Sequence, residues 1–405
     1  MESIKQIYRI GNGPSSSHTM GPRKASLMFL GRGNDAHKYR VTLYGSLAAT
    51  GQGHLTDVAI ITAFKEAGKK VELVWEPEVF LPRHPNAMLF EALNEVNEIT
   101  DSWTAYSIGG GAIVDETSEE EKGENCYPFK DMHNVLKYCN SNGLTMWEVV
   151  KKYDEKDVMD YLEQVWRIMQ DAIHRGLENE GVLPGSLKLP RKAATLHVKA
   201  NAYKETLQKR ALLFAYTLAV AEENAAGGLI VTAPTCGSCG VLPGVLYYLK
   251  TQHNFTDRKI LRALATAGLI GTIVKQNASI SGAEVGCQGE IGTACAMASG
   301  ATTQLFGGTI FQIEYSAEMG LEHHLGLTCD PVAGLVQIPC IERNAFAAAR
   351  ALSHNAFAIL SDGRHRISFD KVVETMKKTG HDLPTIYRET SKGGLAHYSG
   401  LADDF

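Results

Sequence analysis

Three cysteines occur at positions where a thiolate could face a cavity and bind a metal. Cys287 and Cys329 lie in turns flanked by Gly or Pro, and Cys340 follows Pro339 at a predicted helix start. The positive end of a helix dipole favours the thiolate form of Cys340. Three thiolates can hold three irons of a cubane cluster and leave the fourth iron open as a Lewis acid for a hydroxyl group. Because no C-x-x-C-x-x-C run is present, the spacing disfavours electron transfer.

The other five cysteines point to no single site. Cys236 and Cys239 form a C-x-x-C pair, which is typical of a redox site or of half a zinc site. No second pair follows to close a zinc site, and no βαβ setting surrounds this pair, so a tight turn with incidental cysteines is favoured. Cys295 lies in an Ala-rich helical run and is predicted to be a core residue. Cys126 and Cys139 are assigned no role beyond packing.

Motifs in the first part of the chain carry hydroxyls and imidazoles. Residues 11–22 read GNGPSSSHTMGP, and a Ser cluster at a helix start exposes hydroxyl and N–H groups that suit a carboxylate or phosphate. Residues 51–57 read GQGHLTD, which places His54 at a turn where its ring could face a cleft. Residues 107–111 read SIGGG, and glycines let a backbone approach a ligand closely. Each motif also has a simpler interpretation: an N-cap, a surface histidine and a tight turn.

The composition indicates a globular protein and excludes several other classes. The chain has 405 residues, of which 44% are hydrophobic and 21% charged, and its net charge is −5. Without a broad basic field, binding along a nucleic-acid backbone is not expected. Two long uncharged runs, 224–249 and 291–313, are too rich in Gly and polar residues for membrane spans. With no secretory signal at its start, the protein is predicted to be cytoplasmic, with reduced cysteines.

The predicted elements change in type along the chain. Residues 1–135 combine strands at 40–46, 69–75 and 104–111 with helices near 56–66 and 86–98, which predicts an α+β N-terminal domain. The acidic stretch 115–131 is predicted to be a solvated loop or linker. Residues 142–400 are predicted to be mostly α-helical, with one short strand near Leu229. The predicted helices cover 158–177, 205–225, 258–275, 288–306, 312–324, 341–360 and 369–378, and several are apolar on most faces, as in the centre of a bundle.

A series of longer motifs, in order along the chain, carries a resemblance to a known family. They are GPSSSHTMGP (13–22), VTLYGSLAATGQGHLTDVA (41–59), HPNAM (84–88), YSIGGG (106–111), TAPTCGSCGVLPGVL (232–246), SISGAEVGCQGEIGTACAMA (279–298), GLTCDPVAGLVQIPCIERN (326–344) and ETSKGGLA (389–396). Over nearly its whole length the chain resembles the iron–sulfur-dependent L-serine dehydratases, or L-serine ammonia-lyases. The resemblance is to the single-chain form with β and α domains.

The resemblance implies a cofactor and a division of labour between the domains. In the family, three cysteines bind a [4Fe–4S] cluster, and the matching positions here are Cys287, Cys329 and Cys340. Residues 1–135 would be the β-type α+β domain, and residues 142–400 the mostly helical α-type domain that holds the cluster. A homodimer is also implied.

The implied reaction is the β-elimination of L-serine to pyruvate and ammonia. The substrate hydroxyl would bind the open iron, and Ser15, Ser17 and Ser107 are the candidates for holding its carboxylate. His18 and His54 are the candidates for the general base that removes the α-proton, and the sequence does not choose between them. Both histidines lie in the α+β domain, so the site is expected where the two domains meet.

The C-terminal residues depart from the pattern of the family. Many members end in a tail whose terminal cysteine reaches the cluster, whereas HYSGLADDF has no cysteine. An iron that carries water or hydroxide is therefore the simpler expectation, with His397, Asp403 and Asp404 as weaker candidate ligands.

Four other functions remain as alternatives, and one of them is a structural zinc protein, whose metal would prefer four closed ligands. A pyridoxal-phosphate lyase would need a Schiff-base lysine, and Lys188 in an S-L-K context is the candidate, although its helical surroundings do not suit such an enzyme. A desulfidase-like lyase acting on cysteine would share the helical domain, and the serine-type N-terminal domain argues against it. A non-enzymatic iron–sulfur sensor should carry a DNA-binding motif and a basic patch, and neither is visible.

Overall fold

The computed structural model describes residues 1–33, 36–108, 110–117, 125–389 and 393–398. Its strands are β1 (Ile10–Asn12), β2 (Lys38–Tyr44), β3 (Val71–Glu76), β4 (Ala87–Leu93), β5 (Ile99–Ser107), β6 (Ile113–Asp115) and β7 (Leu229–Val231). The first helices are α1 (Gly21–Leu30), α2 (Gly45–Thr50) and α3 (Thr56–Glu66), and a π-helical turn, Ser16–Met20, leads into α1.

The N-terminal region contains a five-stranded sheet of order β3-β2-β4-β5-β6. Strands β2 and β3 are parallel, whereas the other neighbouring strands are antiparallel. Helices α1 and α3 pack against each other and against the sheet. Their apolar side chains, such as Phe29 and Phe64, share a core with Tyr39 and Phe90 of the sheet. The predicted α+β architecture of this region is therefore confirmed.

One predicted element of this region is wrong. Residues 86–98 were expected to form a helix, and the structure has strand β4 followed by a turn from Asn94 to Glu98. The segment is rich in helix formers such as Ala, Leu and Glu, but β4 pairs with β2 on one side and with β5 on the other. Hydrogen bonding to two neighbours, together with burial on both faces, outweighs intrinsic helix propensity.

The rest of the described chain is mostly helical. Its helices are α4 (Met132–Asn142), α5 (Met146–Tyr153), α6 (Val158–Glu178), α7 (Ala193–Ala200), α8 (Glu205–Ala225), α9 (Val241–His253), α10 (Asp257–Asn277), α11 (Gly282–Val285), α12 (Thr293–Leu305), α13 (Ile310–Glu322), α14 (Cys340–Leu360) and α15 (Phe369–Asp382). All seven helices predicted after residue 142 are present, and so is the short strand at Leu229. This confirms a mostly helical domain after the α+β one.

Helix α12 lies at the centre of the helical region. Every residue from Thr293 to Thr303 is buried, and the helix contacts α9, α10, α13 and α14. Small residues make this close packing feasible, since a Cβ at Gly320 of α13 would come within 2.7 Å of the backbone of Ala296. The expectation that helices apolar on most faces occupy the centre of a bundle is confirmed.

The first residues of the chain join the two regions. Met1, Ile4, Ile7 and Tyr8 are buried in the same core as the helices, and β1 pairs antiparallel with β7. The proposed domain limits, 1–135 and 142–400, stay a prediction. The predicted acidic loop lies partly outside the described residues, since 118–124 are not among them. No helix in the described part of the chain is both long enough and apolar enough to cross a bilayer.

Candidate active site

A cavity lies where the α+β region meets the helical region. It is lined by residues from loops and turns of both, as the placement of the predicted histidines had suggested. The polar and sulfur-bearing residues of its lining are Ser15, Ser16, Ser17, His54, Thr235, Ser281, Cys287, Glu290, Cys329, Cys340 and Glu389. The lining thus includes six of the eight predicted site residues.

The three predicted cysteine ligands come together on this cavity from three separate segments. Cys287 follows Gly286, whose φ of 73° turns the chain after α11, and precedes a π-helical turn, Gln288–Gly292. Cys329 is fixed through its backbone, because its N–H donates to the carbonyl of Tyr387 at 2.8 Å. Cys340 is the first residue of α14, as predicted. In the described part of the chain, the Sγ atoms of these three cysteines do not all lie within 4.8 Å of one another.

Two kinds of metal centre differ in how far apart they hold their cysteine sulfurs. A tetrahedral zinc with Zn–S bonds of about 2.3 Å holds its sulfurs within about 4 Å of one another. A cluster of several irons, each bound to one thiolate, spreads the sulfurs further apart. The positions of the three sulfurs are compatible with a polynuclear cluster.

Burial of the thiols keeps them protonated in the protein without metal. Removal from water raises the pKa of Cys287 to about 11, although the nearby cation Arg343 opposes this rise. Burial likewise raises the pKa of Cys329 and Cys340. Binding of a metal must therefore release protons, and Arg343 supplies positive charge beside the resulting thiolates.

The serine motif forms a hydrogen-bonded turn at the edge of the cavity. The Ser15 hydroxyl accepts a bond from the backbone N–H of His18 at 3.1 Å, which caps the turn. The Ser17 hydroxyl lies 2.9 Å from Nδ1 of His18. Ser107 is not in the lining: its buried hydroxyl donates to the carbonyl of Ser17 at 2.7 Å. The structure therefore places Ser15 and Ser17 at the cavity and Ser107 behind them, while direct substrate contact by any of the three stays a prediction.

The two predicted histidines differ in their access to the cavity. Their ring centroids are 4.6 Å apart, and both side chains are buried. His54 lines the cavity, and its Nδ1 is 3.1 Å from the carbonyl of Thr50. Since a carbonyl only accepts, Nδ1 carries the proton and Nε2 is the basic nitrogen. His18 is outside the lining, with Nδ1 bonded to Ser17 and Nε2 to the Ser46 hydroxyl at 3.1 Å.

Both imidazoles are neutral at neutral pH. Burial lowers the pKa of His18 to about 4. Burial, together with the neighbouring His18, lowers the pKa of His54 to about 3. Each ring is therefore available as an unprotonated base or hydrogen-bonding group at physiological pH.

Two carboxylates at the cavity were not predicted. Glu290 accepts from the Thr235 hydroxyl at 2.7 Å, and its other oxygen is 3.8 Å from the sulfur of Cys329. Glu389 accepts from the Ser17 hydroxyl at 3.3 Å and lies 3.5 Å from Nδ1 of His18. Burial raises the pKa of each carboxyl to about 7, and for Glu290 the charge of Glu389 adds to the rise. An acidic residue within a Gly-rich motif, three positions after the predicted ligand Cys287, was the available signal for Glu290.

The remaining candidates of the sequence do not line the cavity. Cys236 is buried, with its sulfur 3.9 Å from that of Met20, and Cys239 is fully buried. Cys295 is a core residue as predicted, and its thiol lies 3.4 Å from the carbonyl of Ala347. Lys188, the candidate Schiff-base lysine, is exposed and does not line the cavity.

The last described segment is attached next to a predicted ligand. Leu395 donates its N–H to Asp330, the neighbour of Cys329, at 2.9 Å. Gly394 has a φ of 58°, and a Cβ there would collide with the Asp330 carboxylate, so both the turn and the close approach require glycine. His397 is exposed, whereas Asp403 and Asp404 lie outside the described residues.

The chain matches known proteins over almost its full length. Residues 86–396 match the family described as serine dehydratase alpha chain, and residues 3–72 match the serine dehydratase beta chain. The chain is 42% identical to the L-serine dehydratase of Haemophilus influenzae and to the L-serine dehydratase TdcG of Escherichia coli, over 98% of this chain and 99% of each relative. It is 39% identical to the L-serine dehydratase of Streptomyces coelicolor, over 97% of this chain and 98% of that protein. This chain belongs to the serine dehydratase family of ammonia-lyases and combines the β-chain and α-chain regions in one polypeptide.

Proposed function

We propose that this protein is an L-serine dehydratase that converts L-serine to pyruvate and ammonia in the cavity between its two regions. The observation that carries the proposal is the convergence of Cys287, Cys329 and Cys340 with His54 and the Ser15–Ser17 turn on one cavity. The names of its relatives support serine as the substrate. A cytoplasmic location and a homodimer stay predictions.

The donor set of the cavity fits the proposed [4Fe–4S] cluster. Three cysteines at one wall, whose sulfurs in the described structure do not all lie within 4.8 Å of one another, would hold three irons. When bound, the cluster would supply a Lewis-acidic iron that makes the substrate hydroxyl a better leaving group. Arg343, whose positive charge opposes the rise in the pKa of Cys287, would balance part of the negative charge of the thiolates.

The turn formed by Ser15, Ser16 and Ser17, called the serine turn, is the proposed site for the substrate carboxylate. The N–H groups of Ser16 and Ser17 have no acceptor among the described residues, and the hydroxyls of Ser15 and Ser17 stand beside them at the cavity. Exposed N–H groups at the start of a helical segment favour an anion. A substrate carboxylate bound there would place the α-carbon between the turn and the cysteine wall, the side of the cavity formed by Cys287, Cys329 and Cys340.

His54 is the proposed general base. Its Nδ1–H is held by Thr50, which leaves Nε2 to accept the α-proton of the substrate. His18 holds the Ser17 hydroxyl and would act as a positioning residue. Loss of the α-proton and of the hydroxyl group yields aminoacrylate, which tautomerises and takes up water to give pyruvate and ammonia.

The proposed function is tested by an assay on the intact chain. The protein is purified without oxygen, supplied with iron and sulfide, and assayed for pyruvate from L-serine before and after exposure to air. We expect a visible absorbance band typical of an iron–sulfur cluster, and activity that falls together with it. Air-stable activity that depends on added pyridoxal phosphate would contradict the cluster. Faster release of sulfide from L-cysteine than of pyruvate from L-serine would favour the desulfidase alternative.

Replacement of Ser107 by Ala should weaken substrate binding more than it slows the chemistry. The substitution removes the bond that holds the Ser17 carbonyl, worth about 1 kcal/mol, and leaves a buried acceptor unpaired. We expect the KM for L-serine to rise about three- to tenfold with a kcat within about twofold of the wild type. Steady-state kinetics check this, with Ser353→Ala, a change on the exposed surface of α14, as the control. A large fall in kcat at unchanged KM would contradict a positioning role.

A further inference from the structure

We infer that Glu389 binds the α-ammonium group of the substrate and thereby makes the site specific for amino acids. This inference rests on the proposed function, because it assigns a third contact to the same substrate. The proposed contacts account for its carboxylate, its hydroxyl group and its α-proton. None of them involves the ammonium, which carries a full positive charge and needs an anion once it leaves water.

The charges of the cavity favour such a contact. Its lining contains no Lys or Arg among the described residues, whereas it contains the two carboxylates Glu290 and Glu389. A cavity lined by acidic groups attracts a cation and repels a substrate that has only a carboxylate. One of the two carboxylates is therefore expected to meet the ammonium.

The surroundings of the two carboxylates distinguish them. Glu290 accepts from the Thr235 hydroxyl with one oxygen, and its other oxygen lies 3.8 Å from the sulfur of Cys329, so it faces the three cysteines and the negative charge of their thiolates. Glu389 instead faces the serine turn, where Ser17 and His18 both meet the oxygen Oε1. No residue in the described part of the chain donates to Oε2 of Glu389. This oxygen can accept from an ammonium while Oε1 stays bound to Ser17.

The backbone around Glu389 supports a functional role. Glu389 has a φ of 48°, a left-handed conformation that costs a non-glycine residue about 1 kcal/mol. The two preceding residues are fixed by hydrogen bonds. The carbonyl of Tyr387 accepts from the N–H of Cys329, and the Arg388 guanidinium donates to the carbonyl of Glu284 at 3.2 Å. A strained residue in a fixed segment that points an acidic group into a cavity is typical of a binding site.

Substitution of Glu389 by Gln tests the inference. Gln keeps the size of the side chain and can still accept from Ser17, but it has no charge for an ammonium. We expect the KM for L-serine to rise about ten- to a hundredfold, with the cluster absorbance and thermal midpoint unchanged. L-Glycerate, in which a hydroxyl group replaces the ammonium, should inhibit the wild type and the variant equally, or the variant more strongly.

Two comparisons make the result decisive. Glu374→Gln, at an exposed position of α15 paired with Lys371 and Lys378, should behave as the wild type. Glu389→Asp keeps the charge and should recover part of the affinity for L-serine. An equal loss of L-serine and L-glycerate binding, or an unchanged KM in Glu389→Gln, would overturn the inference. No pyruvate from the wild type would instead refute the proposed function.

Discussion

Replacement of Cys329 by Ser is expected to abolish both the cluster absorbance and the formation of pyruvate from L-serine. The backbone of Cys329 is fixed by its hydrogen bond to Tyr387, and a Ser hydroxyl at this position is a poorer ligand for the irons of a cluster than a thiolate. A Lewis-acid metal lowers the barrier by several kcal/mol, which corresponds to about a thousandfold in rate or more. The same loss is expected for Cys287→Ser and Cys340→Ser, since each supplies one ligand from a separate segment.

A matched cysteine provides the control for this prediction. Cys295 is more deeply buried than the three predicted ligands, but it lies in α12, and a Ser hydroxyl there could still donate to Ala347. Cys295→Ser should keep the absorbance and most of the activity. Iron and acid-labile sulfide are measured for all four variants after anaerobic reconstitution. If Cys295→Ser lost the cluster and Cys340→Ser kept it, the ligand assignment would be wrong.

The fold was predictable where a local pattern and the tertiary environment agree. Helices α6, α8 and α10 have long apolar repeats and were predicted to within a few residues of their ends. Strand β4 was not predicted, because its residues favour a helix and only the hydrogen bonds of β2 and β5 make it a strand. The pairing with β2 joins segments that are distant in the chain and leaves no mark on a local pattern.

The same reasoning explains which site residues were identified. The cysteines, serines and histidines stood out because their types suit chemistry and they lie in Gly- or Pro-flanked motifs. Ser107 has the same signal, yet its hydroxyl supports Ser17 from behind, since only the packing decides which way a side chain points. Glu389 lies in a motif of the resemblance but was given no role. Glu389 is 372 residues from Ser17 in the chain, so only the fold shows that their side chains form a hydrogen bond.

A large effect on the chemical step, with the cluster retained, is expected from His54→Asn. The Asn side-chain amide can keep the hydrogen bond from the position of Nδ1 to the carbonyl of Thr50, but it lacks the basic nitrogen Nε2. Removal of a general base lowers the rate by about a hundred- to ten-thousandfold. We therefore expect kcat to fall by that factor, with KM and the cluster absorbance changed little.

Substitution of His18 should give a different kinetic signature, which separates the two histidine candidates. Both ring nitrogens of His18 are bonded to hydroxyls, of Ser17 and Ser46, and the ring does not line the cavity. His18→Gln should therefore disturb the serine turn and raise KM more than it lowers kcat. With L-serine deuterated at the α-carbon, the isotope effect on kcat should increase in His54→Asn, because proton removal becomes fully rate-limiting, and should stay at the wild-type value in His18→Gln. The reverse pattern would identify His18 as the base, and a wild-type rate in both variants would show that neither imidazole removes the α-proton.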